Sequence, residues 1–178
     1  MAEKEFGCLH LYCGDGKGKT TAAVGLALRA LGQGKRVLFV SLMKGTPSGE
    51  LKVLESLPGC RVLYGKQDAR FSFQMDDRQK RETRDRQNQT LREVGKRVEN
   101  GEYDMVVLDE LCSALSEDLL DRDLADRLLA QCRGNVELVV TGRNPPQAYR
   151  DQADYLSEIR AVRHPYEKGL PARRGIEW

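Results

Sequence analysis

The 178-residue chain carries almost no charge imbalance: 29 basic residues against 27 acidic ones leave a formal charge of +2. That balance excludes a general pull toward nucleic acid or an anionic membrane, so any basic function has to be local. Long hydrophobic runs are missing as well, and the opening MAEKEFG has no apolar segment of the secretory type, which excludes a membrane span or signal peptide in this sequence. The cysteines (Cys8, Cys13, Cys60, Cys112 and Cys132) are odd in number, scattered and without a CxxC pair. This spacing argues against a disulfide framework or a zinc site and fits reduced thiols in the cytoplasm. His10 and His164 are far apart and sit in no ligand-spaced cluster. There is no repeat, low-complexity tract or linker, so residues 1–178 are expected to form a single domain, soluble and cytoplasmic.

What the chain does have is Gly14 to Thr21, GDGKGKTT, between an apolar run (Cys8 to Cys13) and a helix-forming run (Ala22 to Leu31). A strand, a glycine-rich turn and a helix start make a phosphate site. Glycines let backbone N–H groups turn toward an anion, and the helix N-terminus adds partial positive charge. Gly14, Asp15, Gly16, Lys17, Gly18, Lys19, Thr20 and Thr21 are therefore the candidate nucleotide-binding residues, with Lys19 reaching the outer phosphates and Thr20 left to hold Mg2+. The strict pattern G-x-x-x-x-G-K-S/T would place a glycine where Cys13 stands, so the glycine spacing departs from that of an ordinary hydrolase.

Along the chain, apolar strands alternate with helical patterns. Arg36 to Met43 and Cys60 to Tyr64 read as strands, Thr20 to Leu31 and Pro47 to Leu57 as helices. Gly65 to Met75 is a polar loop holding Phe71 and Phe73. Asp76 to Asn100 is a long helix whose front half lacks an apolar stripe and is either solvated or meets a partner. Tyr103 to Glu110, YDMVVLDE, is a strand ending in two acids, Asp109 and Glu110, the place where P-loop proteins orient a magnesium ion; the pattern does not choose between the two. Leu119 to Cys132 and Pro146 to Asp154 are helical, Val136 to Thr141 is a strand, Tyr155 to Val162 is an edge element, and His164 to Trp178 is irregular. This order implies an α/β fold, a single-domain, P-loop NTPase-like (RecA-like) mostly parallel sheet with helices on both faces. Arg29 on the first helix and Arg143 beyond the strand Val136 to Thr141 each have two readings, a solvated charge or a phosphate contact.

With GDGKGKTT, VVLDE, VTGRNPP and the closing HPYEKGLPARRGIEW in this order, the chain resembles the P-loop corrinoid adenosyltransferases over nearly its whole length. The resemblance implies transfer of the 5′-deoxyadenosyl group of ATP to the Co(I) of a reduced corrinoid, with release of triphosphate. It makes Arg29 and Arg143 phosphate contacts, Thr20 with Glu110 or Asp109 the Mg2+ ligands, and Phe71 and Phe73 the aromatics covering the lower face of the corrinoid. Where the family often has tryptophan this chain has Phe73, and it has almost none of the N-terminal arm that helps some relatives cover the corrinoid. The corrinoid pocket is then either more open or closed by a homodimer partner, and a transient electron-donating reductase is a further implication. The alternative from the motifs alone is a P-loop ATPase or nucleotide-gated regulatory module.

Overall fold

The computed structural model describes residues 7–45, 48–66 and 74–176. The first strand, β1 (Leu9–Cys13), leads through the glycine-rich turn into α1 (Lys19–Gly32). Then follow β2 (Val37–Ser41), α2 (Gly49–Ser56), β3 (Cys60–Tyr64), α3 (Asp77–Glu99), β4 (Met105–Asp109) and α4 (Leu111–Ser116). The chain continues as α5 (Arg122–Cys132), β5 (Glu137–Gly142), α6 (Gln147–Gln152) and β6 (Tyr155–Glu158), followed by one 3₁₀ turn at Pro165–Lys168. All pairings are parallel, in the order β3-β2-β4-β5-β1-β6. Parallel strands covered on both faces need apolar side chains in both directions, which is why β2 and β4 are buried at every position.

The two faces have separate cores. On one, Ala23, Val24 and Ala27 of α1 and Leu51 and Leu54 of α2 pack on Phe39, Val107 and Val139. On the other, residues of α3 to α6, among them Leu91, Val94, Leu111, Leu128 and Tyr149, pack on Leu38, Val40, Leu108 and Leu138. Phe39 is fully buried at the centre of its layer, so truncating it to alanine is expected to cost about 3–5 kcal/mol.

The polar front of the long helix has a structural counterpart: α3 has no buried residue before Gln87, and its apolar stripe begins at Leu91. A reciprocal cap starts it. The Asp76 carboxylate accepts from the Gln79 N–H at 2.8 Å, and the Gln79 side chain accepts from the Asp76 N–H at 3.0 Å. At the edge, β6 is exposed throughout and among the described residues pairs with β1 alone, yet it is pinned at its start by Asp154, whose carboxylate accepts from the Leu9 N–H at 2.8 Å. The short helix α4 was not among the expected elements, because six residues are too few to show a helical period. Among the described residues, no helix is long and apolar enough to cross a membrane.

Candidate active site

The strand order brings the three sequence motifs together. β4, β5 and β1 are neighbours, and from their carboxyl ends project Asp109 and Glu110, Thr141 to Arg143, and the Gly14 to Thr21 loop respectively. Ligands of open parallel sheets bind at this edge. A cleft of about 680 Å3 opens here, lined by the loop from Asp15 to Thr21 together with Lys44, Glu50, Glu110, Ser113 and Arg143.

The loop is built to receive an anion. Helix α1 has no side-chain hydrogen bond at its N-cap and no acid in its first turn, which leaves its first N–H groups for a ligand. The N-cap is Gly18, whose φ of 122° suits glycine and few other residues. The Lys19 ammonium donates to the carbonyl of Gly16 at 2.7 Å and so lies folded over the loop. Burial, and next the charge of Arg143, holds its pKa below the ordinary lysine value; Glu110 and Asp15 act in the opposite direction. A bound polyphosphate would relieve this crowding of cations. From behind, the segment after β6 supports the loop: the Gly16 N–H donates to the Ile159 carbonyl at 2.8 Å, and Asp15 accepts from the Ala161 N–H at 3.2 Å.

Beneath the loop lies Asp109, 1 % exposed. One of its oxygens, Oδ1, accepts from Thr20 Oγ1 at 2.9 Å and from Thr141 Oγ1 at 2.7 Å, while Oδ2 has no partner among the described residues. Burial raises the pKa of Asp109, and raises that of Glu110 too, where the charge of Asp109 adds to the effect. The Thr141 hydroxyl also accepts from the Glu110 N–H at 2.9 Å, and Glu110 has a left-handed φ of 63° at the start of α4. This bend carries Glu110 to the cleft while Asp109 stays below it.

Most of the expected site residues thus converge. Asp15, Gly16, Lys17, Gly18, Lys19, Thr20, Thr21, Glu110 and Arg143 line the cleft. Gly14 faces a second cleft of about 580 Å3 on the other side of the loop, and Arg143 borders both. Arg29 lines neither; it is exposed on α1, ten residues and so about 15 Å along the helix from Lys19. Phe71 and Phe73 lie outside the described residues. The sequence reading missed the Lys44–Glu50 ion pair (3.1 Å), Ser113, whose hydroxyl accepts from the Arg143 N–H at 3.2 Å, and Thr141 as the joint between the two acids. The available signal was position: Lys44 and Thr141 stand at the carboxyl ends of predicted strands.

The sequence profile described as "ATP:corrinoid adenosyltransferase BtuR/CobO/CobP" matches residues 5–178. The chain belongs to the ATP:corrinoid adenosyltransferase family. It is 36% identical to corrinoid adenosyltransferase CobA of Salmonella typhimurium over 180 residues, covering 100% of this chain and 89% of that protein. Corrinoid adenosyltransferases of Escherichia coli and Pseudomonas aeruginosa are 34% and 32% identical, again over 100% of this chain and over 89% and 87% of their own lengths. Among solved structures, the flagellar accessory protein FlaH of Methanocaldococcus jannaschii superposes with a TM-score of 0.57 at 15% identity, over 86% of this chain and 71% of its own, a likeness of fold. The resemblance drawn from the motifs and the P-loop α/β architecture both hold, and the adenosyltransferase family supplies ATP and a corrinoid as the substrates that the cleft must accommodate.

Proposed function

We propose that the chain transfers the 5′-deoxyadenosyl group of ATP to the cobalt of a reduced corrinoid, using the cleft above Asp109 to hold the triphosphate that leaves. The observation that carries this reading is the convergence of Lys19, Arg143 and the uncapped start of α1 on one cleft, within a chain of this family. In the reaction, the Co(I) electron pair forms a bond to C5′ and the C5′–O bond breaks, its electrons leaving on the triphosphate. The cobalt is the nucleophile, so no protein base is required; the chain has to align C5′ and offset charge on the leaving group. Lys19, Arg143 and the loop N–H groups have the charge and the placement for the second task.

The donor set also fits magnesium. A phosphate-site magnesium takes one or two protein oxygens and leaves its other positions to phosphate and water. Thr20 and Glu110 supply such oxygens directly and Asp109, through its unpartnered buried Oδ2, by way of a water on the ion, and no cluster of three or more acidic, histidine or cysteine ligands occurs among the described residues. The ion would neutralise part of the triphosphate charge.

Phe71 and Phe73 are assigned to the corrinoid's lower face, as in the resemblance above. A homodimer closing the corrinoid side is supported by the exposed apolar side chains: of the eight large ones among the described residues, six, Tyr155, Leu156, Val162, Tyr166, Leu170 and Ile176, lie in the last part of the chain. The reading places the enzyme in the cytoplasm, where its free cysteines stay reduced and a reductase generates Co(I). The test is to mix the protein with Mg-ATP and a chemically reduced corrinoid and follow the visible spectrum. A photolabile alkylcobalt product is expected, and a spectrum unchanged by the protein would refute the reading.

A further inference from the structure

Two buried polar atoms stand unpartnered side by side at the carboxyl edge of the sheet. Among the described residues neither Ser41 Oγ nor Asp109 Oδ2 has a hydrogen-bond partner, and each residue is 1 % exposed. Ser41 and Asp109 are register partners on β2 and β4, so their side chains leave the sheet on the same face. It is the face covered by α1, from which Thr20 reaches the other oxygen of the same carboxylate. A buried polar atom without a partner is costly and rare, and two on adjacent strands facing one way point to a shared, missing group.

The chemistry of the pair narrows that group. No hydrogen bond joins the serine to the carboxylate, so the gap between them has to be bridged. An ionised carboxylate only accepts, and a serine hydroxyl can accept as well. A group that donates twice therefore satisfies both atoms at once. Water bound to a metal through its oxygen does this, because both its hydrogens point away from the ion. The cleft wall beside the pair carries the Lys44–Glu50 ion pair, whose charges act on Asp109 in opposite senses.

We propose that Ser41 is a positioning residue for the metal's hydration shell: Ser41 Oγ and Asp109 Oδ2 together accept from one water on the magnesium held by Thr20 and Glu110. This rests on the magnesium assignment made above. Ser41 touches neither nucleotide nor corrinoid in this arrangement; it acts through the water it orients, as outer partners of metal ligands do.

The test compares wild type with Ser41→Ala in two measurements that do not depend on turnover. The dissociation constant of ATP is determined by calorimetry with Mg2+ and again with EDTA, without corrinoid, and the nucleotide-free protein is melted. In wild type Mg2+ tightens ATP binding; in Ser41→Ala that gain shrinks about tenfold while the affinity in EDTA stays unchanged. The melting midpoint of the nucleotide-free variant rises, because an unpaired buried hydroxyl has been removed. An undiminished Mg2+ gain overturns the proposal, and so does a lowered midpoint, which would show the hydroxyl bonded within the protein. Absence of any Mg2+ gain in wild type is a different failure: it removes the magnesium assignment, and the role of Ser41 with it.

Discussion

Gly14 and Ile159 are in such close contact that no side chain fits between them: a Cβ on Gly14 would stand 2.3 Å from the Ile159 carbonyl oxygen. The same oxygen accepts the Gly16 N–H at 2.8 Å. The segment just after β6 is therefore the back wall of the glycine-rich loop. Gly14 also has a φ of 102°, in the region that disfavours every other residue. Gly14→Ala is expected to destabilise the protein by about 2–4 kcal/mol, strain and overpacking together. Urea unfolding and an ATP titration check this, and ATP affinity should fall with stability because the loop is pushed off its support.

Lys19 should separate binding chemistry from folding. Its ammonium touches the Gly16 carbonyl and it lines the cleft at the first position of α1, so Lys19→Ala should fold with an unaltered circular dichroism spectrum. Loss of a donor aimed at the leaving group typically costs about 10²–10³-fold in rate. Turnover with saturating ATP and reduced corrinoid measures it; a rate near that of wild type would remove Lys19 from the reaction.

Thr141 is the joint of the acidic half of the site. Its hydroxyl donates to Asp109 and accepts from the backbone of Glu110, so Thr141→Val keeps the shape while leaving the Glu110 N–H without its partner. The expected loss is about 1–3 kcal/mol in chemical unfolding. Since Glu110 is held in a left-handed conformation, the variant should also weaken the Mg2+-dependent part of ATP binding more than the metal-free part.

Acid stability should report on Asp104, which ties the start of β2 to that of β4. Its carboxylate accepts from the Arg36 guanidinium at 2.9 and 3.2 Å and from the Arg36 N–H at 2.7 Å. The Arg36 side chain, by its hydrogen bond first, holds the Asp104 pKa below the ordinary aspartate value. A depressed folded-state pKa gives stability that is fully present above the unfolded value of about 3.9 and is lost as pH falls through the folded one. Unfolding free energies measured from neutral pH down into that range should therefore decline less steeply for Asp104→Asn than for wild type, with the variant less stable at neutral pH.

Local chemistry made much of this molecule legible. The unbroken apolar runs around Phe39 and Val107 announced strands buried on both faces, and the change of pattern within α3 marked where solvent ends and core begins. The glycine-rich loop and the Asp109–Glu110 pair could be read because their residue types and spacing form local patterns. Contacts set by strand order were hidden. That Thr141 would join both acids, or that Ile159 would back Gly14, follows from β5 and β6 flanking β1, an arrangement no local pattern encodes. The Lys44–Glu50 pair escaped for the same reason, although Lys44 was visible at the end of a strand.

The identity of the phosphorus product tests the central claim most directly. With Mg-ATP and a reduced corrinoid, phosphorus NMR should show one inorganic triphosphate released for each cobalt–carbon bond formed, and no phosphate released when the corrinoid is omitted. Orthophosphate and ADP, produced at the same rate with or without corrinoid, would contradict it.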